Sequence, residues 1–161
     1  MGDCSRGREI LRIPYFGSAW VIIFAPIFVL IVNTSIVIII GVSRYDEIGA
    51  DNIMHFLGGA AATMFSAGIL WRLMQCKIIR IVNIYCFRLL VLGMLSAIIM
   101  SWEILEYILQ ATGYLSYWLG QLTYTDTVTD MILGLIGGTL VIFTIKRSDL
   151  HNLVNTEGVS K

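Results

Sequence analysis

The chain has 161 residues, of which 57% are hydrophobic and only 14% charged, against roughly 25% charged in an average soluble domain. Eleven basic residues balance eleven acidic ones, so no basic excess recruits nucleic acid and no acidic tract forms a solvated tail. This composition excludes a disordered chain and an ordinary soluble enzyme, and moves the question to where the few charges sit.

A bilayer core about 30 Å thick needs about 20 mostly apolar residues per helix. After a head carrying Arg6, Arg8 and Arg12, the uncharged stretch from Ser18 to Val42 predicts a first span. It is longer than a signal-peptide core, typically about 7–15 residues, and no small-residue cleavage motif follows it, so an uncleaved span is expected. Gly2 invites N-myristoylation, but Arg6 stands where Ser or Thr is required. Asn33, Thr34 and Ser35 interrupt this span and are expected to hydrogen-bond across helices. Further spans are predicted over about 51–71, 82–110 and 126–145, followed by a polar tail, 146–161. The expectation is one transmembrane domain over 1–161: an all-α, integral membrane four-helix bundle.

Lys and Arg accumulate on the cytoplasmic side of membrane proteins. The head has three arginines, and the first loop has Arg44 alone beside Asp46 and Glu47. The second loop has Arg72, Lys77 and Arg80, with Arg88 just beyond. The third loop, 111–125, has no basic residue, and the tail opens with Lys146 and Arg147. The alternation predicts a cell-membrane protein with both termini cytoplasmic. Arg88 is expected to snorkel to the inner interface. Cys4, Cys76 and Cys86 all fall on that reducing side without metal-type spacing, so free thiols are expected.

The outward ends of the last three spans carry the informative residues: Asp51 and His55, Glu103 and Glu106, Asp126 and Asp130. Each helical residue turns about 100°. His55, Gly59, Ala62 and Ser66 therefore lie within about 80° of Asp51, and Asp130, Gly134 and Gly137 within about 80° of Asp126. Small residues let membrane helices approach closely, and Gly134 and Gly138 form a GxxxG pair. The ionisable groups thus share faces with small residues and point into the bundle, away from lipid, where a charge is costly.

Five carboxylates and one imidazole in a low-dielectric site need compensation. A divalent cation can sit among them, some can hold protons in a hydrogen-bonded network that locks the helices, or the cluster can open to water as a solvated rim or proton path. The donor set suits magnesium, calcium or manganese, and the imidazole extends the choice to zinc or iron. Facing carboxylate and His pairs on neighbouring helices are how bundle metal sites are built. Asp51, His55, Glu103, Asp126 and Asp130 are the candidate ligands and Glu106 the candidate general base. Asp51 and Asp126 also suit a plain helix-dipole role at an N-terminus, whereas Glu103 and Glu106 sit at a C-terminal end that disfavours negative charge.

The third loop, GYLSYWLGQLTYT, reads as an interfacial aromatic belt or as a lid gripping an amphiphile, with Tyr114, Tyr117, Trp118 and Tyr124 as its rings. Trp102 and Tyr107 flank the glutamates and fit either reading. His151 is expected at the surface of the tail. HExxH, Walker, dinucleotide-binding and GxSxG motifs are absent from the sequence.

Three blocks carry a resemblance: DNIMHFLGGAAA (51–62), SWEILEYILQ (101–110) and YTDTVTDMILGLIGG (124–138). Together they resemble the VanZ-like family and the neighbouring YjdF-type inner-membrane proteins. Asp51, His55, Glu103, Asp126 and Asp130 match that pattern residue by residue, and Glu106 matches the two-glutamate version of the YjdF type. The resemblance spans about 90 residues and implies a cell-envelope setting, with one family member tied to glycopeptide-antibiotic resistance. It implies no reaction.

These readings converge on a cation-dependent membrane protein acting on a lipid or cell-envelope amphiphile, as a hydrolase or transferase. Two rivals are a cation- or proton-coupled transporter module and a non-catalytic envelope or resistance factor with a structural polar cluster. Transport is disfavoured because coupling sites lie near the bilayer midplane, whereas these acids gather at one end.

Overall fold

The computed structural model describes residues 12–13, 17–81, 83–113 and 123–146. Gly2, Cys4, Arg6, Arg8, the aromatic residues Tyr114, Tyr117 and Trp118, and Arg147 and His151 of the tail lie outside the described residues.

A two-residue antiparallel ladder, β1 (Arg12–Ile13) against β2 (Gly17–Ser18), precedes five helices. Helix α1 (Ala19–Ile40) is apolar all round apart from its Asn-Thr-Ser step. It stops at Gly41, whose φ of +79° is left-handed backbone that glycine adopts without steric cost. The short α2 (Val42–Glu47) follows. Helix α3 (Ala50–Gln75) runs about one turn past the predicted span and ends in a Schellman turn. There Lys77 takes the left-handed conformation, its N–H donates to the Met74 carbonyl, and the Ile78 N–H donates to that of Leu73. Helix α4 (Ile84–Ala111) is capped by Asn83, whose side chain accepts from the Tyr85 N–H at 2.8 Å. Helix α5 (Tyr124–Thr144) is capped by Thr123, whose hydroxyl accepts from the Asp126 N–H at 3.2 Å.

Helices α3, α4 and α5 are long and apolar enough to cross a membrane; in α1 the stretch Phe24–Ile40 forms a shorter apolar helix. Phe28, Ile39, Leu89 and Phe143 are all more than two-thirds exposed on the perimeter. An apolar perimeter of this kind suits hydrocarbon rather than water.

Helix α3 is the hub: α1, α4 and α5 all pack on it, and α4 also packs on α5. The α3–α5 contact is the closest. A Cβ on Gly59 would overlap the Gly134 carbonyl, one on Gly137 would overlap that of Phe56, and one on Gly138 would stand 2.9 Å from the Gly59 oxygen. Lipid tails are as apolar as Leu, so helix association in a bilayer rests on such tight packing rather than on the hydrophobic effect.

The interior is layered along the helices. One end holds an apolar cluster in which Trp71 and Phe87 meet edge-to-face with ring centroids 6.5 Å apart. Ala62, Leu95 and Ile99 fill the middle, and the ionisable groups occupy the other end. At the apolar end the Arg88 guanidinium donates to the Ile145 carbonyl at 2.6 Å and lies 5.8 Å from the Phe143 ring centroid. The arginine thus caps the C-terminus of a neighbouring helix, where positive charge is favoured.

Two expectations are corrected. Cys86 is a free, exposed thiol, but Cys76 is disulfide-bonded. The Tyr45 hydroxyl of α2 donates to Asn33, as an inter-helix bond should, yet Thr34 and Ser35 donate back to the Leu30 and Ile31 carbonyls of their own helix. Short hydroxyl side chains reach the carbonyl four residues back more easily than a neighbouring helix.

Candidate metal centre

Three helices deliver the site. Asp51 and His55 lie on successive turns at the start of α3, Glu103 and Glu106 near the end of α4, and Asp130 in the second turn of α5. His55 is the centre. Its Nε2 is 3.6 Å from Asp51 Oδ1 and 3.6 Å from Asp130 Oδ2, and its Nδ1 is 3.9 Å from Glu103 Oε1. These separations exceed hydrogen-bonding distance.

Two candidate triads share the imidazole: Asp51, His55 and Asp130; and His55, Glu103 and Glu106. In each, one donor atom per residue lies within 4.8 Å of the others. A cation holds oxygen ligands at about 2.0–2.6 Å, so ligands facing each other across it stand up to about 5 Å apart. Both triads are of that size.

Burial sharpens the chemistry. Asp130 is 2% exposed and Glu103 7%. Both carboxylate oxygens of Glu103 and Oδ1 of Asp130 are buried without a hydrogen-bond partner. Buried polar atoms are nearly always satisfied, so these three oxygens set the site apart from the rest of the interior. Two ionised carboxylates with oxygens no more than 4.8 Å apart repel by at least roughly 3 kcal/mol at an effective dielectric of about 20. Among the described residues the cavity beside the cluster has no Lys or Arg in its wall.

The sixth sequence-predicted group stands apart. Asp126 is exposed in the first turn of α5 and belongs to neither triad. Its place beside free backbone N–H groups suits the helix dipole. Trp102 lines the cavity, whereas Tyr107 and Tyr124 are exposed.

The cavity is about 260 Å³. His55, Glu103, Glu106 and Asp130 line its polar end, and Pro26, Ile27 and Leu30 of α1 form part of its apolar wall. No sequence pattern signals that α1 takes part: a helix apolar on every side offers no stripe to single out the wall-forming face.

Fold and site together define a helical membrane protein with a buried carboxylate–imidazole centre. Residues 12–149 match the family of predicted membrane proteins designated DUF2238, and the chain belongs to that family. No curated protein and no solved structure matches it.

Proposed function

We propose that this protein binds a divalent cation at the Asp51/His55/Glu103/Glu106/Asp130 cluster and acts there on a lipid or cell-envelope amphiphile. The observation that carries the reading is that Glu103 and Asp130 each bring one oxygen to within 4 Å of a shared imidazole while both oxygens of Glu103 and Oδ1 of Asp130 stay buried without a hydrogen-bond partner. A bound cation would polarise a phosphoryl or acyl oxygen and generate a nucleophile from water. Asp51, His55, Glu103 and Asp130 are the ligands in this reading, Asp126 an outer carboxylate that attracts the cation, and Glu106 the general base. In the same reading α1 is a fourth span, both termini are cytoplasmic, the cluster faces outward across the cell membrane, and the three acid-bearing blocks reflect kinship with VanZ-like and YjdF-type proteins.

The rival in which the cluster only locks the helices together has less support. A structural network gains from full hydrogen bonding, and these oxygens have none. The α3–α5 contact has its own adhesive in Gly59, Gly134, Gly137 and Gly138.

Elemental analysis of detergent-purified protein beside its Asp130→Asn variant tests the proposal. A divalent ion near stoichiometry in the wild type, and its loss in the variant, is the expected result. A metal-free wild type whose melting temperature is unchanged by chelator would overturn it.

A further inference from the structure

We propose that the cleft between α1 and α4 is a binding slot for one acyl chain of a bilayer lipid, entered sideways from the hydrocarbon region and ending at the carboxylate–imidazole cluster. It rests on the reading above for what happens at the polar end, and on separate observations for the slot itself.

The first observation is the lining. Apart from its polar end and Asn33, the cavity is walled by Ile27 and Leu30 of α1, Met54 and Ala62 of α3, and Ile98 and Ile99 of α4. From Met54 to Ala62 is eight residues, or about 12 Å of helix. The slot therefore runs from the cluster to about the middle of α3. A wet cavity needs polar partners for its water along its length, and this one offers them only at the polar end and at Asn33, whose side chain already accepts from the Tyr45 hydroxyl. Its apolar length suits hydrocarbon.

The second observation is the mouth. Helix α1 packs along α3 and makes no extensive contact with α4, so the two walls part on the outer side. Ile27 and Leu30 line the cavity, yet they are 49% and 44% exposed. The lip of the slot is thus part of the apolar perimeter that faces lipid. An occupant arriving from water would have to cross that perimeter, whereas a lipid chain already lies beside it.

The third observation is the floor. At Gly58, which lines the slot, an added Cβ would meet nothing within 4 Å. Its neighbour Gly59 is instead jammed against Gly134. Tight α3–α5 packing explains the second glycine but leaves the first unexplained. A slot that must stay open accounts for it.

The test uses full-length protein in vesicles of phosphatidylglycerol and phosphatidylethanolamine containing a trace of phosphatidylglycerol with a diazirine in one acyl chain. Adducts are mapped by peptide mass spectrometry before and after the substitution Gly58→Leu, and metal content is measured on the same samples. The slot predicts adducts at Ala62 and Ile99, which are buried from the perimeter, and at least a fivefold loss of them in Gly58→Leu. Perimeter adducts at Phe28 and Leu89 should stay unchanged. Adducts confined to the perimeter, or inner adducts indifferent to Gly58→Leu, would overturn the slot. Inner adducts in a metal-free protein would uphold the slot and remove the cation. A metal-loaded protein lacking inner adducts would do the reverse. If Gly58→Leu unfolds, Ala62→Leu read against its own perimeter adducts makes the same discrimination.

Discussion

His55 and Asp130 belong to different helices, and Nε2 of one stands 3.6 Å from Oδ2 of the other. One turn further along each helix, Gly59 and Gly134 meet backbone to backbone. The imidazole and the carboxylate are held at this spacing because the two helices are pressed together just beneath them.

The coupling of packing to site makes Gly59 an informative position. Gly59→Ala would drive a methyl group into the Gly134 carbonyl and should destabilise the fold by about 1–3 kcal/mol, the usual range for overpacking. It should also weaken cation binding by moving His55 away from Asp130. Gly58→Ala, with open space at its Cβ, should leave both intact. Thermal unfolding in detergent, with and without added Mn²⁺, checks the pair.

Glu103→Gln should change the sign of its effect with the cation. In chelator, the wild type buries a carboxylate with no hydrogen-bond partner, and removing an uncompensated buried charge favours the folded state. The variant should then melt at or above the wild-type temperature. With saturating cation the order should reverse, because a ligand has been lost. A variant less stable than wild type in both conditions would point to a structural role instead.

His55 serves both triads, while Asp51 serves one. His55→Ala should therefore abolish cation binding, and Asp51→Asn, which costs one triad a ligand charge, should lower affinity by more than the about 10- to 100-fold typical of losing an outer-shell partner while leaving measurable binding. Isothermal titration of chelator-stripped protein separates the two outcomes. Equal losses would mean that the triads do not share the imidazole.

Arg88 makes a prediction at the opposite end. Its hydrogen bond to the Ile145 carbonyl is charge-assisted and worth about 1.5–3 kcal/mol. Arg88→Met should lower the melting temperature without altering cation affinity. A matching fall in affinity would show that the apolar end and the cluster are coupled.

Orientation can be read with a membrane-impermeant thiol reagent on intact cells. In an otherwise cysteine-free background, Thr125→Cys should label from outside. A variant retaining only Cys86, which is exposed at the other end of the helices, should label only in inverted vesicles. The reverse pattern would place the cluster on the cytoplasmic side.

Much of this arrangement was legible in the sequence, for identifiable reasons. Long, mostly apolar runs whose few charges sit toward their ends marked α3, α4 and α5, because a bilayer core tolerates little else. Helix phase put His55 with Gly59 and Asp130 with Gly134, and these faces do meet. Phase alone could not separate Asp126 from Asp130: both point the same way, but Asp126 is a turn nearer the helix end and is exposed. The Arg88–Ile145 bond joins residues 57 apart, and no local pattern encodes such a pairing. The α1 wall was equally silent, since Ile27 and Leu30 differ in nothing from their apolar neighbours until α3 fixes the rotation of the helix.

Mn²⁺ titration followed by electron paramagnetic resonance decides whether the cluster holds a cation. Chelator-stripped wild-type protein should quench the six-line signal of free Mn²⁺ at near-stoichiometric ratio, and Asp130→Asn should leave the signal intact. A full free-ion signal in the presence of excess wild-type protein, identical to that with the variant, would contradict it.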